Sequence, residues 1–73
     1  MKSAKEMFEE LGFFQRDKEL FIEYIKIYDK NDNFAVVQFI HEDRIVNMCI
    51  KEDYENIMKA INQQLKELGW LDD

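Results

Sequence analysis

Few residues in this chain have the chemistry for catalysis or ligand binding. His41 stands beside Glu42 and Asp43, and imidazole with carboxylates serves both metal ligation and proton transfer. With one His and one Cys in 73 residues, no second histidine or spaced cysteine completes a ligand set. The trio also falls between two apolar runs, where a hairpin loop needs polar residues for solvation alone. The lone thiol, Cys49, sits between Met48 and Ile50 and reads as a small packed hydrophobe rather than a nucleophile. Gly12 and Gly69 do not form a phosphate-binding loop, since neither lies in a glycine-rich turn between a strand and a helix.

Two further groups are open to a binding role. The acid pairs Glu9–Glu10, Glu42–Asp43, Glu52–Asp53 and Asp72–Asp73 present carboxylates that a basic protein would meet as it meets nucleic-acid phosphates. Charge runs are ordinarily solvated surface, and two of these pairs lie where a helix start or chain end would place them. Phe13, Phe14 and Trp70 line a pocket at the helix ends or belong to the core, and core is the usual fate of such aromatics in a small domain. No catalytic, cofactor-binding or metal-binding residue is assigned, and the expectation is a protein that is not an enzyme and carries no cofactor.

The elements that position these residues follow from composition and periodicity. Seventy-three residues make a single domain, 1–73, with a thin core margin, because chains of this size bury only roughly 60% of their unfolded surface. A hydrophobic share of 47% with six Phe separates it from disordered chains. One cysteine permits no internal disulfide, which suits a reducing interior, so a cytoplasmic location is expected. The opening MKSAKEMFEE breaks into charges too early for a secretory signal, and no apolar run reaches the roughly 20 residues that span a membrane. The ten basic residues are dispersed among sixteen acidic ones, net charge −6, which disfavours direct nucleic-acid binding.

Ser3 and Glu6 have capping-box spacing, and Ala4, Met7, Phe8 and Leu11 then form one apolar helical stripe that Gly12 ends. Phe13 is placed to fold back on Phe8. Gln15 to Glu19 is read as a solvated connection. Leu20–Tyr28 alternates as a strand, Asp29–Asp32 as a turn, and Asn33–His41 as a central strand, since it is apolar at odd and even positions alike. Arg44–Ile50 is a third strand. Symmetric closure pairs Ile40 with Ile45, Phe39 with Val46, Gln38 with Asn47, Val37 with Met48 and Val36 with Cys49. This register collects Ala35, Val37, Phe39, Val46, Met48 and Ile50 on one apolar face, the expected core. From Glu52 to Leu68 the positions Tyr54, Ile57, Met58, Ile61, Leu65 and Leu68 trace a second helix, with acids in its first turn, Lys66 in its last, and Gly69 and Trp70 closing it.

The predicted fold is α+β: helix, three-stranded antiparallel meander, helix, with both helices on one sheet face. Phe34, Val36, Ile40, Ile45 and Cys49, with Ile25 and Ile27, then form a second face whose apolar area is large for a monomer, and they are the candidate interface.

The order of elements, the opening AKEMFEELGF, the IEYIK strand and the closing AINQQLKELGW resemble small proteins encoded by phages and prophages of low-GC Gram-positive bacteria. The resemblance covers most of the chain. It implies a mobile-element origin and a setting inside the host cell; the group has no assigned reaction or site residues to carry over. The expectation is therefore a small acidic interaction protein that binds itself, as a homodimer, or a host protein through its second sheet face. The alternative is an acidic mimic of nucleic acid that occupies a nuclease or another DNA-binding enzyme.

Overall fold

The computed structural model describes residues 1–29, 31 and 33–71. The Asp72–Asp73 pair, and Lys30 and Asp32 of the expected turn, lie outside the described residues. The fold is α+β: α1 (Ala4–Glu10), β1 (Phe14–Asp17), β2 (Phe21–Ile27), β3 (Phe34–Ile40), β4 (Ile45–Cys49) and α2 (Tyr54–Leu68). The strands form one four-stranded antiparallel sheet in the order β1-β2-β3-β4.

Helix α1 begins as its sequence dictates. The Ser3 hydroxyl accepts from the Glu6 N–H at 3.1 Å while the Glu6 carboxylate accepts from the Ser3 N–H at 3.1 Å. Each side chain thus satisfies a backbone donor that the first turn leaves unpaired. The Glu67 carboxylate of α2 takes a third, from the Ala4 N–H at 2.8 Å. Seven residues are too few to persist alone, and Ala4 and Phe8 of α1 are buried.

Both helices end in the same device. The Phe13 N–H donates to the Phe8 carbonyl and the Gly12 N–H to that of Glu9; likewise Trp70 donates to Leu65 and Gly69 to Lys66. This paired return is the Schellman motif, which needs a left-handed residue. Gly12 and Gly69 supply it, at φ of 93° and 73°. The LGF and LGW stretches are therefore one stop signal used twice, and the Phe13 ring does fold back, edge-on to Phe8 at 5.5 Å between centroids.

The sheet has one strand more than the sequence reading. Phe14–Asp17, which overlaps the segment read as a connection, pairs with β2 from Phe14↔Ile25 to Asp17↔Ile22. A tight reversal follows, with the Lys18 N–H donating to the Phe21 carbonyl at 2.9 Å. An edge strand is wet on one side and needs little apolar content, so FQRD qualifies where an interior strand would not. The β3–β4 register is the expected one in all five pairs, closed by the loop His41–Arg44 with Arg44 at φ 53°.

The core joins sheet and helices. Phe8 of α1 stacks on Tyr24 of β2 at 4.0 Å and meets Phe39 of β3 edge-on at 6.4 Å. Ala35, Val37, Phe39, Ile57, Ala60 and Ile61 complete the buried cluster. Three expectations need correction. Helix α2 starts at Tyr54 rather than Glu52, with Asp53 left-handed at the N-cap and making no side-chain cap bond. Its buried side is Ile57, Ala60, Ile61 and Gln64, while Tyr54 and Met58 are exposed. Met48 shares a face with buried Val37 and Phe39 but is itself 42% exposed, so within β4 the core reaches only half-buried Val46.

Candidate interaction surface

Alternation along four antiparallel strands sorts the side chains opposite that core into rows. One row crosses the whole sheet as Arg16, Glu23, Gln38 and Asn47. Beside it run Phe14, Ile25, Val36 and Cys49, with Ile27 and Phe34 beyond. On its other side lie Phe21, Ile40 and Ile45. The register thus brings every expected interface residue, Phe34, Val36, Ile40, Ile45 and Cys49, onto one face.

That face is open. Phe14, Ile27, Phe34 and Ile45 are exposed, Ile27 by 61%, and Ile25, Val36 and Ile40 are only half-buried. Cys49 is exposed as well, where the sequence reading made it a packed hydrophobe; its place on an edge strand, opposite the core, explains the difference. Among the described residues, the one buried member of this face is a charge: Glu23 is 6% exposed.

Glu23 is buried because the row satisfies it. Arg16 donates to its Oε2 from Nε at 2.9 Å and approaches the same oxygen through Nη2 at 2.6 Å, and the Gln38 amide donates to Oε1 at 2.9 Å. Burial alone pushes this carboxyl up, but the hydrogen bonds from Gln38 and Arg16, with the Arg16 charge, outweigh it and hold it below the usual range. The polar row is therefore neutral within itself and leaves its carboxylate little reason to seek water. Sequence reading missed Phe14, Phe21, Arg16 and Glu23, although a period-two pairing of Arg16 with Glu23 across a short turn was available as a signal.

The other candidates sort differently. Phe13 is core, whereas its neighbour Phe14 faces out. Trp70 is half-buried beside Phe39 at 6.5 Å and meets the His41 ring edge-on at 6.3 Å. His41, Glu42 and Asp43 are exposed loop residues, and among the described residues no group of three or more His, Cys, Asp or Glu is placed to hold a metal. A shallow groove of about 170 Å³ between α1 and α2, lined by Lys2, Met7, Glu10, Leu11, Asn56 and Lys59, falls below the few hundred Å³ of ordinary ligand sites. Among the described residues no helix is long and apolar enough to cross a membrane. No protein-family model, curated protein or solved structure matches the chain.

Proposed function

We propose that this chain is a small non-enzymatic interaction module, a phage or prophage accessory factor acting in the host cytoplasm, that binds itself or a host protein through the open sheet face. Both helices lie on the Tyr24 side of the sheet in this reading, which leaves the opposite side as the binding surface. The supporting observation is the make-up of that face: two apolar bands flank a polar row whose single carboxylate is already paired. Interfaces have a similar plan, an apolar centre depleted of free charge with a few fixed polar groups that set orientation. An apolar surface this large on a 73-residue chain is costly to leave wet.

Affinity capture from the native host with wild type and Val36→Glu tests the proposal. Val36 lies in the band between β2 and β4 and is half-buried, so a charge there spoils the apolar centre. Partner recovery is expected to fall at least tenfold in the variant at unchanged thermal stability, and to survive high salt. Recovery that Val36→Glu leaves intact, and that salt abolishes, overturns the proposal in favour of an acidic surface mimicking nucleic acid.

A further inference from the structure

The two edges of the sheet are built differently. The outer strand β1 reads FQRD, with Arg16 and Asp17 in it and Lys18 and Glu19 following. Charges on an edge discourage another strand from pairing there. The opposite edge, β4, reads IVNMC, with no charge, proline or glycine to protect it. Four of its five residues are exposed, the exceptional one, Val46, being half-buried. Among the described residues no backbone hydrogen bond from outside the sheet reaches Ile45–Cys49, so its outward N–H and C=O groups are available to a further strand.

The order of side chains in β4 specifies what that strand is. Antiparallel pairing of two copies about a two-fold axis at Asn47 sets Asn47 opposite Asn47, Val46 opposite Met48, and Ile45 opposite Cys49. Apolar residues then meet apolar residues on both faces, and the amides meet each other. The row Arg16–Glu23–Gln38–Asn47 continues into the same row reversed. Centring the axis on Val46 or Met48 instead puts Asn47 against Ile45 or Cys49 and breaks every row. Exposed Met48, at the limit of the core, gains Val46 of the second copy as a cross-strand neighbour.

We infer that β4 is a homodimer seam: two copies of this chain pair antiparallel through Ile45–Cys49 about Asn47, joining their sheets into one of eight strands. The seam is an edge, distinct from the open face. Pairing leaves that face uncovered and doubles it into one continuous surface, so the seam stands whether or not the face binds a partner.

Charge reversal at the two-fold axis tests this inference. Asn47 is exposed, so Asn47→Lys and Asn47→Asp spare the fold but place like charges directly opposite each other. Wild type is expected to sediment at twice the chain mass, each variant alone at the mass of one chain with thermal unfolding retained, and their equimolar mixture at twice the mass again. Ile45→Cys supplies a second reading: with oxidised glutathione as oxidant, a disulfide forms between that cysteine and Cys49 of the other copy. Wild-type Cys49 does not cross-link through the seam, because its counterpart lies four residues along the strand, roughly 14 Å away. A wild type that is monomeric at all concentrations, or an Asn47→Lys variant that stays dimeric, overturns the seam. A dimer that Val36→Glu dissolves while Asn47→Lys does not also overturns it, and assigns self-association to the open face.

Discussion

The Tyr24 hydroxyl donates to the Gln64 side-chain carbonyl at 2.5 Å, within the core between β2 and α2. The bond explains how a glutamine is accommodated on the buried side of α2 beside Ile57, Ala60 and Ile61. A phenol stacked under Phe8 brings its hydroxyl into the core, and a buried hydroxyl without a partner costs more than a buried amide that has one.

Tyr24→Phe should destabilise the chain by about 1–2 kcal/mol, because it leaves the Gln64 oxygen buried and unpaired. Gln64→Leu should cost a similar amount. The double variant should recover much of the loss, since removing both partners is far cheaper than removing one. Denaturant unfolding of the four proteins gives the coupling directly.

Tyr24 also sets an alkaline limit. Burial, with the Glu67, Asp17 and Glu9 carboxylates adding to it, raises its pKa from 10.0 to about 12. The folded state thus favours the neutral phenol. This contribution is fully present below pH 10.0 and is lost as pH rises through about 12. Stability measured across that window should fall in wild type, and Tyr24→Phe should remove this component of the fall.

Glu23 acts at the other end of the scale. Its pKa is lowered from 4.5 in spite of burial, so its contribution is present above pH 4.5 and is lost as pH falls through the lower folded value. Arg16→Ala removes two of the contacts that hold the carboxylate charged and should raise the Glu23 pKa, readable in a carboxyl NMR titration. The stability loss near neutral pH should be about 1 kcal/mol, at the modest end because Arg16 is itself half exposed.

The two glycine stops should differ in a predictable way. Alanine at either position is forced into left-handed backbone at a cost of about 1 kcal/mol. At Gly69, with φ 73°, nothing else among the described residues stands within 4 Å of the added carbon. Gly12, with φ 93°, lies farther outside the left-handed well open to alanine, and the added carbon there meets only the flexible end of Lys26, Cε at 3.0 Å, which can swing aside. Thermal unfolding should therefore place Gly12→Ala below Gly69→Ala.

What could be read from the sequence was whatever depended on local spacing. The Ser3–Glu6 box, the two glycine stops and the 36–49 hairpin register follow from period and turn chemistry, because a one-residue slip in the hairpin would mix its two faces. Part of what stayed hidden depended on partners remote in sequence. Gln64 is buried on α2 with a hydroxyl forty residues away as its partner; FQRD was obscured instead by its polar content, since Glu23, opposite Arg16, is only seven residues off. The rows of the open face became complete only with β1, since Phe14 and Arg16 supply its outer members.

Site-specific photo-crosslinking in the native host tests the binding role of that face most directly. A benzophenone side chain placed at Val36, on the open face, is predicted to capture one discrete protein, this chain or another, while the same group at exposed Lys59 of α2 captures none. Capture from Lys59 with nothing from Val36 would contradict the account.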